Sequence, residues 1–241
     1  MRTEGFQING EIKFPVTICV LCYGPYESLA RRCLGALERH TDPSLFRLRI
    51  GLNATCDATR SVVNELRKRI PDTVVHDSAV NLFKVPMMHR LLNSPPLETK
   101  WLIWFDDDSH VTRPDWLPSL AAKMEASPEI AMWGKLYSIQ VSADTANFAR
   151  AAGWFRGLPF VPSGVKPGYH QCSFATGGFW AIRTECLRVL NWPDPRLVHY
   201  HNDFMLGEAM RQNGFILGSF HHGVGVNDSP RRSPQNVPAG P

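Results

Sequence analysis

The sequence predicts a single α/β domain, an open, Rossmann-like mixed sheet flanked by helices. Three observations predict it. Strand-like and helix-like stretches alternate from residue 16 to residue 105 in a βαβα order, which makes those strands parallel. The run Trp101-Leu-Ile-Trp-Phe105 is apolar throughout, rich in aromatic and branched side chains, and reads as a buried strand. It stops at three consecutive acids, Asp106-Asp107-Asp108, which are not expected all to be buried, because unpaired buried charges are costly. The apolar run therefore passes through a sheet and delivers the acids at its carboxyl end, the edge where open α/β sheets bind ligands.

Each element follows from local pattern. Residues 16 to 22 form a first buried strand, broken by Tyr23-Gly-Pro-Tyr26. Glu27 to His40 is a helix with Leu29, Cys33, Leu34 and Leu37 on one face. Leu45 to Leu52 is a second strand, and the polar turn Asn53-Ala-Thr-Cys-Asp-Ala-Thr59 opens a helix through Ile70. Thr73 to His76 is a short strand. Lys84 to Asn93 is a helix with Pro86 in its first turn. A further helix follows Pro114, and Ile130 to Ile139 is a strand. Residues 142 to 172 carry many Gly, Pro and aromatic residues without a period, and read as a long irregular wall or lid. Phe174 to Arg183 is a turn running into a strand, with a short helix from Arg183 to Leu190. Asp203 to Asn213 is a helix closed by Gly214. Phe215 to Phe220 is the last strand, and from Asp228 onward the tail is expected to be mobile. No internal repeat is visible.

Composition narrows the function classes. The 241 residues suffice for one sizeable domain, and 44% hydrophobic with 20% charged residues is a globular composition. The net charge of +4 is mild; it suits an anionic small substrate and does not by itself indicate nucleic acid. No apolar run approaches the ~20 residues of a membrane span. Met1 to Lys13 lacks the apolar core of a signal peptide, so a cytoplasmic protein is expected. The six cysteines agree. Cys19 and Cys22 form a CxxC, but inside a strand, where buried structural thiols are expected rather than a redox pair.

The acids carry the chemistry. Three adjacent carboxylates repel one another, and a divalent cation with a taste for oxygen, Mn²⁺ or Mg²⁺, relieves that repulsion. The structural alternative is an acidic turn capping the helix after Pro114.

The ordered set of motifs resembles the nucleotide-sugar glycosyltransferases of the GT-A fold, most closely the large family 2, over roughly residues 15 to 225. Val16 to Leu37 is similar to the family's opening strand–turn–helix, and Asn53 to Thr59 to its second turn. Asp106-Asp107-Asp108 is similar to its Asp-x-Asp motif, and also to that of the Fringe-type transferases. Gly177 to Arg183, and His201-Asn202-Asp203 followed by Leu206-Gly207, resemble its acceptor-side motifs.

The resemblance implies a metal-dependent inverting transferase with a nucleotide-binding half (15–110) and an acceptor half (111–227), between an extension (1–14) and a tail (228–241). It implies Asp108 as direct metal ligand, and Asp106 at the ribose or a metal-bound water. Asp107 is a supporting acid. His221 or His222, with His222 favoured, adds a metal or diphosphate contact. Asp203 is the general base that the acceptor hydroxyl needs, or else an N-cap of its helix. Tyr23, Asn53, Asp57 and Lys84 complete the donor set with Gly177 and Gly178, whose missing side chains let backbone approach a sugar. Arg90, Arg231 and Arg232 join Lys84 as candidates for diphosphate contact. Trp180 and Trp154 stack on a sugar or pack in the core.

Two departures stand out. Asn202 precedes Asp203 where the family has Glu, and Leu52 stands where the family often has an Asp that reads uracil. Either Asn53 or Asp57 takes over the base contact, or the nucleotide is not UDP. A UDP-sugar is the favoured donor and a GDP-sugar the alternative. The acceptor, whether glycan, lipid-linked sugar, protein or modified nucleic acid, is not legible. Two other classes compete. A phosphatase of the haloacid dehalogenase type also has Asp-x-Asp at a strand end, but near the start of the chain. A non-catalytic sugar-binding module needs neither metal acids nor a base.

Overall fold

The computed structural model describes residues 16–140, 151, 156, 171–199 and 202–226. The expected extension 1–14, the tail 228–241 with Arg231 and Arg232, nearly all of the expected irregular wall 142–172 with Trp154, and His201 lie outside the described residues.

A seven-stranded sheet in the order β3-β2-β1-β4-β7-β6-β8 organises the chain. Its strands are β1 (Val16–Tyr23), β2 (Phe46–Asn53), β3 (Val74–Ser78), β4 (Trp101–Asp106), β6 (Ile130–Gln140), β7 (Gln171–Arg183) and β8 (Ile216–Ser219). A two-stranded ribbon, β5 (His110–Val111) with β9 (Val224–Gly225), stands apart. The helices are α1 (Glu27–His40), α2 (Asp57–Arg67), α3 (Lys84–Asn93), α4 (Trp116–Ala126), α5 (Thr184–Leu190) and α6 (Asn202–Gln212). Strands β1 to β4 are parallel, β7 is antiparallel to both β4 and β6, and β8 is parallel to β6, so the sheet is mixed.

The period of two along the strands sorts the core into two layers. Ile18, Val20, Ile103 and Phe105 face α1, α2 and α4. Cys19, Leu21, Leu102 and Trp104 face α3, α5 and α6. Trp104 and Trp180 are direct partners across β4 and β7, with rings stacked 5.7 Å apart, and Trp180 is 1% exposed. Trp180 is thus a core residue. Buried Arg49 on β2 donates to the carbonyls of Leu91 (2.7 Å), Pro95 (2.5 Å) and Pro96 (2.9 Å), fixing the loop that leads from α3 into β4.

Topology locates the ligand edge. The chain runs from β1 outward to β2 and β3, then returns through α3 to β4 on the other side of β1. That reversal leaves a crevice at the carboxyl ends of β1 and β4, where Leu21 is in register with Asp106.

Two features depart from the sequence expectation. The turn expected to open the stretch 174–183 belongs instead to a strand that begins at Gln171. Against β6, this strand bulges: Gly134 pairs with Trp180 but Leu136 pairs with Ala175, leaving residues 176–179 facing a single residue of β6. The bulge frees the Gly177 backbone from the ladder beside the acidic turn, the kind of place where bulges re-aim groups. The ribbon β5–β9 also had no signal in sequence, being two residues on each side. Among the described residues no helix is long and apolar enough to cross a membrane.

Candidate functional site at the carboxyl edge of strand β4

The three acids leave β4 in different directions because successive strand residues point to opposite faces. Asp106 lies on the side of Trp104, two residues back. Its Oδ1 accepts from the Trp104 indole N–H at 2.9 Å, and its Oδ2 accepts from the Lys84 ammonium at 2.7 Å. Asp107 turns toward β1, where its Oδ2 accepts the Tyr23 backbone N–H at 3.0 Å. Asp108 is 0% exposed, and its carbonyl accepts from the Arg32 guanidinium at 3.4 Å. All three acids are thus buried, which corrects the expectation that they could not all be: donors from α3, β4 and β1 receive Asp106 and Asp107. Their joint field is felt on α1. Burial and then the charges of Asp107, Asp108 and Asp106 push the Cys33 thiol well above its ordinary range.

Lys84 is the first residue of α3, and it is 6% exposed. It lies beneath the acidic turn, paired with Asp106, and its second bond goes to the Gly177 carbonyl at 2.7 Å. Gly177 N–H in turn donates to Asp203 Oδ2 at 3.1 Å, while Asp203 Oδ1 accepts the Phe204 N–H at 2.9 Å. A Cβ at 177 would sit 2.9 Å from Lys84 Nζ and 3.4 Å from Asp203 Oδ2, so the ammonium would have to shift to admit it. Gly177 and Gly178 are both buried. The structure therefore brings Asp106, Lys84, Gly177 and Asp203 together from β4, α3, β7 and α6. Asp203 sits in the first turn of α6 and is only partly buried.

The remaining candidates take other positions. Asn53 is 1% exposed, and its side chain holds the loop before α3: Oδ1 accepts Leu82 N–H (2.7 Å), and Nδ2 donates to Asn81 Oδ1 (3.0 Å) and to the Phe83 carbonyl (3.4 Å). Asp57 opens α2 with a fully exposed carboxylate, 3.2 Å from Arg60, which also clasps Asp77. Tyr23 ends β1, its hydroxyl 3.5 Å from the Asn81 amide. His222 is exposed and bonds Asp115 at 3.0 Å, a pairing that holds the Asp115 carboxyl below its usual range. His221 is exposed beside it. Among the described residues no three His, Cys, Asp or Glu side chains converge as a metal cluster.

Two contributors went unread in the sequence. Trp104 had a usable signal, since W-x-D in a strand puts both side chains on one face. Phe83 had none. It adopts φ 64° and ψ 174°, a region that only glycine enters freely, and Asn53 and Asn81 pin it there. That turn starts α3 at Lys84 and so aims the ammonium at the acids. Such strain costs about 1–3 kcal/mol. Phe83→Gly is accordingly expected to be about 1 kcal/mol more stable than Phe83→Ala, which loses the same ring but keeps a Cβ in the strained region, after the entropy of the unfolded glycine is subtracted. Urea unfolding checks this; a midpoint no higher than that of Phe83→Ala removes the strain argument.

Comparison with known proteins identifies the family and the fold. The family model described as glycosyl transferase family 2 matches residues 17–190, most of the chain. No curated protein matches it in sequence. Among solved structures, the chain is similar to the mannosyltransferase PcManGT from Pyrobaculum calidifontis in complex with GDP-Man and Mn²⁺ (TM-score 0.59, 15% identity, 86% of this chain and 55% of that one). It is similar to S. aureus TarS 1–349 in complex with UDP (TM-score 0.59, 15% identity, 86% and 57%). GalNAc-T7 with UDP, GalNAc and Mn²⁺ is a third (TM-score 0.60, 13% identity, 87% and 43%). The chain spans about half the length of these structures, and at such identities the likeness concerns the fold, which is GT-A. With the family model covering both the acidic strand end and the Gly177 bulge, the chain belongs to glycosyl transferase family 2.

Proposed function

We propose that this chain transfers a sugar from a nucleotide-sugar donor to an acceptor hydroxyl, with a divalent cation and with inversion at the anomeric carbon. The observation that carries the reading is the convergence of Asp106 and Asp203 on one buried Lys84–Gly177 unit at the sheet's ligand edge. A single displacement needs an acid on the donor side and a base on the acceptor side, and Asp106 and Asp203 are assigned those parts. Solved relatives of the fold hold GDP-Man, UDP and UDP-GlcNAc. A UDP-sugar is the favoured donor here and a GDP-sugar the alternative. A cytosolic setting suits the free thiols Cys19, Cys22, Cys33, Cys56 and Cys186.

The donor set suits Mn²⁺ or Mg²⁺. Asp106 and Asp108 supply hard carboxylate oxygens, and an ion of this kind takes one or two carboxylates with substrate phosphates completing its shell. A carboxylate has about four acceptor positions, so the bonds from Trp104 and Lys84 leave Asp106 capacity. When bound, the cation neutralises charge on the departing nucleoside diphosphate. The protein's own residues do the rest. Asp203 takes the proton of the acceptor hydroxyl at a carboxylate oxygen. Gly177 N–H keeps that carboxylate oriented. Tyr23 and the open Asp57 flank the donor end of the crevice, while Asn53 supports its floor through residues 81–83. His222 would have to leave Asp115 to reach a donor, and is assigned a lesser contribution.

The test is Asp108→Ala. Calorimetric titration with UDP-GlcNAc and with GDP-mannose, with and without Mn²⁺, is expected to find Mn²⁺-dependent binding in the parent. The variant should lose it by roughly 100-fold, with the circular dichroism spectrum unchanged. Parental affinity in a folded Asp108→Ala removes this carboxylate from the cation site.

A further inference from the structure

Lys84 was expected to meet the diphosphate, yet it is buried between a donor-side acid and an acceptor-side backbone. Its ammonium lies 2.7 Å from Asp106 Oδ2 and 2.7 Å from the Gly177 carbonyl. The amide of that same glycine lies 3.1 Å from Asp203 Oδ2. One residue's backbone thus carries Lys84 on its carbonyl and the candidate base on its amide. It can do so because the β7 bulge removes residues 176–179 from regular pairing with β6. The strained Phe83 turn and the Trp104 indole hold the other end of the line.

We propose that Lys84 is a positioning residue for the base: anchored on Asp106, it fixes Asp203 through Gly177. The proposal rests on the transferase reading for its meaning, since only there are Asp106 and Asp203 a donor acid and a base. Lys84 itself touches neither the acceptor nor the reacting atoms. It acts by geometry: a displaced base costs rate without costing donor affinity, and a shift of about 1 Å removes roughly 100-fold.

Three variants of the full chain separate these roles. Asp106→Asn keeps Lys84 on Gly177. Lys84→Met removes both bonds. The double variant Lys84→Met/Asp106→Asn removes the ammonium without leaving a bare buried carboxylate, and keeps the comparison meaningful if Lys84→Met alone folds poorly. Amide hydrogen exchange at Gly177 is expected to stay near the parent in Asp106→Asn and to accelerate at least about tenfold in the double variant, since protection follows the local hydrogen-bonded state. Hydrolysis of UDP-GlcNAc or GDP-mannose, whichever the parent cleaves, is expected to fall in kcat by roughly 100-fold between Asp106→Asn and the double variant, with KM within about threefold. Equal Gly177 exchange in those two variants overturns the positioning role, as does an unchanged kcat. Lys84-dependent exchange in a parent that binds neither nucleotide sugar keeps the Lys84–Gly177 brace and overturns the transferase reading instead.

Discussion

Asp203→Asn is expected to lose sugar transfer by ~10²–10⁴-fold while nucleotide-sugar affinity stays parental, because a general base acts on the acceptor and touches the donor little. The surroundings of Asp203 make the substitution informative. Both carboxylate oxygens accept backbone N–H bonds, from Gly177 and from Phe204. Asn retains one acceptor oxygen, so one of the two bonds survives and the other is replaced by an amide facing a donor. The structural cost is about 1–2 kcal/mol, the price of one poorly matched bond. A residue that served only the helix terminus would respond in the opposite proportion: a small stability change and near-parental turnover, with Ala worse than Asn. Transfer rate, donor affinity and melting temperature measured on Asp203→Asn and Asp203→Ala separate the two. Parental turnover by Asp203→Asn moves the base elsewhere and takes the main support from inversion.

Lys84→Met should be among the most destabilising single substitutions in the domain, by about 3–5 kcal/mol. The side chains of Lys84 and Asp106 are 7% and 8% exposed. Removing the ammonium takes the cation from a buried carboxylate and this donor from the Gly177 carbonyl. For a domain of this size the melting temperature falls by roughly 10 °C. Replacing both partners is far milder, since two charges that are absent need no pairing. The double variant Lys84→Met/Asp106→Asn is therefore expected to recover most of the loss. A double-variant stability equal to the sum of the singles would mean that the pair is not energetically coupled.

Much of the architecture was legible before any coordinates. The buried run 101–105 and its acidic end told where the ligand edge lies, because apolar continuity and a charge cluster are local properties. The alternation of elements through residue 105 gave the parallel half of the sheet for the same reason. The motif order gave the family, and the family model agrees. Helix α3 with Pro86 in its first turn matched its expected limits, since propensity and capping act over a few residues.

What the sequence could not decide was which partner each polar group would find. Asn53 and Asp57 were alternatives for the same contact; long-range folding turned Asn53 inward onto residues 81–83 and left Asp57 at the surface. Lys84 read as a candidate for diphosphate contact, and its actual partners left no local signal because they lie 22 and 93 residues away along the chain. Gly177 read as part of a turn, because a bulge is defined by the register of the neighbouring strand and leaves no local signature. Periodicity and composition fix what a segment does with its own neighbours. Pairing across β4, α3, β7 and α6 exists only once the sheet has closed the distance, and that is where Asp106, Lys84, Gly177 and Asp203 become one site.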